Sequence, residues 1–187
     1  MTQFTVHTAE TAPAASKPFI EGARKAFGLV PNLIGLFAES PAVAEGYLGL
    51  AGAFQKSGLS ALEREVVLIA TSVENECHYC VAAHTTVTQA QKLDQSVIGA
   101  VRNGGPIADT KLEALRAFAT KVVRQRGFVS DADVQALLGA GYTRANVLEV
   151  VLGVGLKTIS NYTNHIAETP LDAPFRANAF TPKKHAA

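Results

Sequence analysis

An all-α fold is what the sequence predicts, and three observations carry the prediction. Between Lys17 and Ile166, Ala, Leu, Val and Glu dominate, and glycines and prolines fall at intervals that punctuate helices. Ser or Thr followed three residues later by Glu recurs just ahead of apolar stretches, the pattern of a capping box. No segment alternates convincingly between apolar and polar residues, and the β-branched runs VVLIA and VLEVVLGV have the caps and lengths of buried helices.

The elements follow in order. Residues 17–27 form a first helix, with Ser16 as cap and Pro18 in the first turn, where a missing N–H costs nothing. Gly28 and the VPN turn stop it, and a short helix over 32–38 follows. Ser40 caps and Pro41 opens the next, which runs to Gly58. Ser60 with Glu63 is a capping box before EVVLIATSV, and Thr110 with Glu113 another before ALRAFATKVVRQ. Helices over 130–141 and 145–166 complete the series. A faint internal repeat is visible: Glu65-Val-Val-Leu recurs at Glu149, and the same register sets Asn161 and Asn164 where the first copy has Cys77 and Cys80. Two buried helices sharing an apolar tetrapeptide by chance would look the same.

The ends differ from this body. Residues 1–16, rich in Ala and Thr without an apolar period, read as a flexible N-terminal arm, extended or ordered only against a partner. Residues 17–170 are the single helical domain, and 171–187, with prolines at 174 and 182, an extended C-terminal tail.

A chain of 187 residues with 48% hydrophobic content buries a core without a covalent staple, so Cys77 and Cys80 are not needed to hold a small fold together. The net charge of +1, without a basic stripe, argues against nucleic acid as a partner. The N-terminus lacks a charged-then-apolar leader and no apolar run reaches the ~20 residues of a membrane span, so a soluble, cytoplasmic protein is expected. In a reducing compartment a CxxC pair is more readily redox-active or metal-binding than a permanent crosslink.

The chemistry concentrates in ENECHYCVAAH, residues 74–84. On a helix Cys77, Cys80 and His84 stand at i, i+3 and i+7 and share one face. An imidazole one turn from Cys80 can take its thiol proton, and the resulting thiolate is the reactive species. Cys77 lies one turn the other way, within reach of an oxidised sulfur on Cys80. The alternatives are an inert or merely redox-sensitive pair, or zinc, which would need a fourth ligand; His78 points away and no second CxxC exists. The acid of the group is Glu65, because a carboxylate among Val, Leu and Ile needs a reason to be there, whereas Glu74 and Glu76 read as first-turn, solvent-facing residues. In one unbroken helix Glu65 would sit ~18 Å from Cys77. Ser72 and Asn75 predict a break, with a second helix opening near Asn75 or Glu76 and folding back so that Glu65 meets His84 and Cys80.

REVVLIATSVENECHYCVAAH resembles the signature of the carboxymuconolactone decarboxylase superfamily in its thiol-bearing, alkyl hydroperoxidase D-like branch. GLVPNLIGLFAESPAVAEGYLGL upstream and NYTNHIAETPLDAPF downstream resemble the peroxidase-related subgroup. The resemblance implies an alkyl hydroperoxidase D-like helical bundle that forms homo-oligomers (trimers, hexamers or dimers). It also implies peroxide reduction through a CxxC disulfide, without a bound cofactor, at the expense of a thioredoxin-like or lipoyl dithiol. By position, Cys80 matches the peroxidatic thiol, Cys77 the resolving thiol, His84 the relay histidine and Glu65 the acid. The best-known members carry a histidine directly before the second cysteine; here it is Tyr79, with His78 one place earlier. The alternatives within and beyond the superfamily are a cofactor-free lactone decarboxylase, whose members generally lack the cysteine pair, and a helical assembly that senses oxidation without turnover.

Overall fold

A computed structural model describes residues 4–182, and among these the regular structure is entirely helical. The helices are α1 (Lys17–Phe27), α2 (Asn32–Phe37), α3 (Pro41–Gln55), α4 (Ala61–Glu74), α5 (His78–Ala90), α6 (Gln95–Arg102), α7 (Thr110–Arg124), α8 (Asp131–Gly139) and α9 (Arg144–Ala167). Short 3-10 turns at Ala14–Ser16 and Ala173–Asn178 flank them.

Local signals set most of the boundaries. Ser60 accepts the Glu63 N–H while the Glu63 carboxylate accepts the Ser60 N–H, so α4 opens on the expected capping box. Two expectations shift. At α7 the cap is Asp109, which accepts the Leu112 N–H at 2.9 Å, and Glu113 reaches back to the Ile107 N–H instead of to Thr110. Helix α6 was not anticipated: eight residues leave little periodicity, although Asp94 caps it through the Ser96 and Val97 amides. Helix α3 ends at Gln55, three residues before Gly58, and Ser40 makes no side-chain cap bond.

Helix α4 is the axis of the molecule and packs against α5, α6, α7 and α9. Its buried face, Val66, Val67 and Ile69, joins Phe54 of α3, Ile98 of α6, Leu115 and Phe118 of α7 and Leu156 of α9 in the main core. A second core forms around Leu33, Ile34, Phe37, Tyr79 and Phe175, and both cysteines lie in its wall. Residues 4–16 run along the chain's own α1 and α2. The His7 N–H donates to Gly35 O at 3.1 Å, the His7 ring meets the Glu39 carboxylate at 2.8 Å, and Ala12 is buried with Ile20 and Ala38. What the sequence predicts for residues 1–3 and 183–187 lies outside the described residues.

Gly153 of α9 lets α3 and α4 close on it. A Cβ there would come within 2.8 Å of Phe54 Cζ and of Val67 Cγ1, both on fully buried side chains that cannot yield. Overpacking costs about 1–3 kcal/mol and the gain in helix propensity over glycine returns about 1. Gly153→Ala is therefore expected to lower stability modestly and Gly153→Val severely, read as a fall in the urea midpoint at unchanged slope. An unchanged midpoint in the valine variant would show that α9 does not pack this closely.

Candidate active site

The site begins with a chain reversal. Helix α4 stops at Glu74; Asn75 caps it, Glu76 takes a left-handed conformation (φ 55°), and extended Cys77 becomes the residue before α5. The expected break is present, and the second helix starts at His78, two or three residues later than anticipated, because Glu76 cannot join a right-handed helix at that φ. Polar contacts pin the turn. The Cys77 N–H donates to Ser72 O at 2.9 Å, and Asn161 bridges Ser72 Oγ (3.3 Å) and the Asn75 side chain (3.0 Å).

Folding back brings three of the expected residues into line. His84 Nδ1 lies 2.8 Å from Glu65 Oε2, and the Glu65 residue is only 5% exposed. With the carboxylate accepting from Nδ1–H, Nε2 is left as an acceptor. It does not meet Cys80. It faces Lys157 Nζ at 3.0 Å, a fully buried amine on α9 that the sequence reading missed, since one lysine inside a long apolar helix carries no pattern of its own.

Helix α9 runs opposite α5 with a matching ladder. Asn164 donates to Cys77 Sγ at 3.5 Å and to Cys80 Sγ at 3.2 Å; Ser160 Oγ lies 3.6 Å from Cys80 Sγ; Lys157 meets His84. Positions 164, 160 and 157 thus face 77, 80 and 84, each set at i, i+3 and i+7 on its helix. Both cysteines are reduced and buried.

The two thiols are driven apart electrostatically. At Cys80 burial opposes ionisation, but the Cys77 hydrogen bond, the Lys157 charge, His84 and the Ser160 hydroxyl outweigh it and hold the thiol well below its ordinary range. At Cys77 the hydrogen bond to Cys80, burial and the Cys80 charge all favour the protonated form and raise its pKa. The surroundings thus favour a thiolate at Cys80 beside a protonated thiol at Cys77, the asymmetry that a nucleophile and its resolving partner require.

Tyr79 turns away from this ladder. Its hydroxyl donates to Asp172 Oδ2 at 2.5 Å and its ring meets Phe175 edge-on, while Asp172 also accepts the Asn32 N–H at 3.2 Å. Burial, then the Asp172 contact, raises the phenol pKa. Tyr79 therefore anchors residues 172–175 to α2 and α5 and is no proton relay for the thiols. His165 is exposed on the rim of a cavity of about 500 Å³ that His78, Asn164, Glu168, Thr169 and Leu171 also line. Asn164 belongs both to this cavity and to the thiol contacts, so the cavity borders a residue that holds the sulfurs. Among the described residues no group of three or more His, Cys, Asp or Glu is placed to hold a metal ion, and no helix is long and apolar enough to cross a membrane.

Residues 41–119, which include the CxxC segment, match the model of the carboxymuconolactone decarboxylase family. The fold is shared with an uncharacterized peroxidase-related protein of Ralstonia eutropha JMP134, described as an alkylhydroperoxidase AhpD core. The TM-score is 0.83 at 24% identity, over 92% of this chain and 93% of that one. A peroxidase-related protein of Silicibacter sp. TM1040 gives a TM-score of 0.78 at 20% identity, over 94% and 97%. The debrominase Bmp8 gives 0.75 at 16% identity, over 88% and 89%. No curated protein sequence matches the chain.

Proposed function

We propose that the protein is a thiol-dependent peroxidase that reduces alkyl hydroperoxides through its CxxC pair. The observation that carries this reading is the Cys77–Cys80 asymmetry, with a thiolate favoured at one sulfur and a thiol beside it. In the cycle, the Cys80 thiolate attacks the distal oxygen of the hydroperoxide and the O–O bond breaks. The alkoxide leaves, taking a proton to become the alcohol, and Cys80 is left as a sulfenic acid. The Cys77 thiol attacks that sulfur, water departs with the hydroxyl, and a disulfide forms. A dithiol, on a thioredoxin-like protein or a lipoyl group, reduces the disulfide by exchange and is itself oxidised. Glu65 and His84 carry the protons of the cycle, and the electrons come from the dithiol without a bound cofactor. Such chemistry belongs in a reducing compartment, the cytoplasm.

Hydroperoxide consumption, followed with thioredoxin and with a lipoyl protein as donors, tests this. Turnover with either donor is expected. One specific observation favours a second reading: both sulfurs are buried, as suits a helical assembly that registers oxidation slowly. Stoichiometric disulfide formation without turnover by any dithiol would select it. Decarboxylation of a lactone without a dithiol would select the third.

Assembly is part of the proposal. Along α9, Leu148, Val151, Ile159, Tyr162 and Ile166 form an exposed apolar row at spacings of three and four with Gly155 at its centre, and Leu148 and Ile166 are each 70% exposed. Such a row suits a second copy of the chain. Sedimentation is expected to show an oligomer at micromolar concentration and dissociation of the Leu148→Glu, Ile166→Glu double variant; a wild-type monomer would defeat the idea.

A further inference from the structure

We infer that Lys157 is the counter-ion that keeps Cys80 ionised, and that His84, held by Glu65, serves to position its ammonium group. The inference takes from the proposed function only that Cys80 is the reacting thiol.

Lys157 is 1% exposed, and a lysine buried to that degree either loses its proton or sits against an anion. Its surroundings can be enumerated. Helix α5 presents Cys77, Cys80, Tyr79 and His84, α3 presents Tyr47, and α4 presents Glu65. The Glu65 carboxylate stands on the far side of the imidazole, engaged by Nδ1, and Tyr79 is committed to Asp172. Asn164 joins the two sulfurs. With Glu65 engaged by the ring and Tyr79 by Asp172, Cys80 is the remaining acid that most readily supplies a negative charge to the ammonium, and the two partners reinforce one another. Burial works against the ammonium, and the charges of Cys80, Tyr47 and Cys77 reverse the effect and raise its pKa.

The placement of His84 fits a supporting role better than that of a direct base. Its Nε2 is occupied by Lys157 at 3.0 Å and its Nδ1 by Glu65 at 2.8 Å, so both nitrogens are engaged by groups other than sulfur. The row Glu65, His84, Lys157, Cys80 alternates anion, neutral acceptor, cation and anion. Each member is supplied from a helix whose register is fixed independently: α4 by its capping box, α5 by the reversal at Glu76, and α9 by the box that Thr143 and Asn146 form.

The test is a thiolate titration by ultraviolet absorbance, which requires no reagent to reach a buried sulfur and no peroxide. The wild type is expected to show one thiolate per chain at about pH 6, well below the ordinary thiol range. Lys157→Met and Lys157→Gln are expected to move the titration midpoint upward by at least about one pH unit, a tenfold change in the ionisation constant and the smallest effect of an opposite charge in contact. Lys157→Gln keeps a hydrogen bond to His84 without the charge, and so covers the case in which the methionine variant does not fold. Lys157→Arg is expected to restore the thiolate at least in part, and His84→Gln to shift the titration less than Lys157→Gln. A wild type without thiolate at about pH 6, a folded neutral variant that titrates like the wild type, or a His84→Gln shift equal to or larger than that of Lys157→Gln overturns the inference. A protein that passes this titration and turns over no hydroperoxide leaves the inference standing and removes only the peroxidase reading.

Discussion

Cys80→Ser is expected to eliminate hydroperoxide consumption, with kcat/KM falling at least about 10³-fold, as when a nucleophile is removed and only binding remains. Cys77→Ser should behave differently. It is expected to react with one equivalent of peroxide and stop, because Cys80 would reach the sulfenic acid with no thiol beside it to displace the hydroxyl. A sulfenic-acid trap therefore labels the Cys77→Ser protein and leaves Cys80→Ser unlabelled. Helix-end electrostatics alone would assign the roles the other way, since Cys77 is nearer the positive end of α5. That effect is worth about 0.3–1 kcal/mol at an exposed end, and Cys77 precedes the helix as its cap. Against it stand the Lys157 charge, His84 and the Ser160 hydroxyl, which act on Cys80. Labelling of Cys80→Ser alone would reverse the assignment.

The half of the site that was legible in the sequence is the half carried by contiguous residues. Cys77, Cys80 and His84 share a face because their spacing makes them do so, and Glu65 could be joined to them once Ser72 and Asn75 were read as a break. The other half comes from α9, eighty residues on. Lys157, Ser160 and Asn164 are ordinary helix residues until the tertiary packing turns them toward α5, and only packing, which no local pattern reports, brings Ser160 and Asn164 to the sulfurs and Lys157 to His84. The repeat gave a partial hint. It aligned Asn161 and Asn164 with the cysteines, and both do lie at the site, Asn161 on the reversal and Asn164 on the sulfurs. It misleads beyond that point: α9 runs unbroken from Arg144 to Ala167, and Glu149, the counterpart of Glu65, accepts instead from the Gly58 N–H and from Asn146. Apolar tetrapeptides recur because buried helices need them, and the break that creates a site depends on a few polar residues that the second copy lacks.

Glu65→Gln and His84→Gln are each expected to lower kcat/KM by about 10²-fold, the lower part of the range for a positioned proton-transfer group, with little change in fold. The reason lies in how the two are joined. Glu65 fixes the His84 tautomer by accepting from Nδ1, and the carboxylate charge stabilises any proton the ring takes up at Nε2. A glutamine still offers an oxygen to Nδ1–H, so orientation survives while the charge is lost, and the deficit is in proton handling. Since Glu65 acts only through His84, the double variant should be little worse than the poorer single one, and the coupling should approach the whole effect of Glu65→Gln. The thiolate titration separates this pair from Lys157. Loss of the distant Glu65 charge removes a like charge and should move the Cys80 titration only slightly, and downward, so that the thiolate, stable above its pKa and lost as pH falls through it, persists at about pH 6 in Glu65→Gln. Steady-state rates of the two single variants and the double variant, read beside that titration, decide the matter. Strictly additive losses would give Glu65 and His84 independent roles, and a thiol in Glu65→Gln that titrates in the ordinary range would make the carboxylate, not the ammonium, the main support of the thiolate.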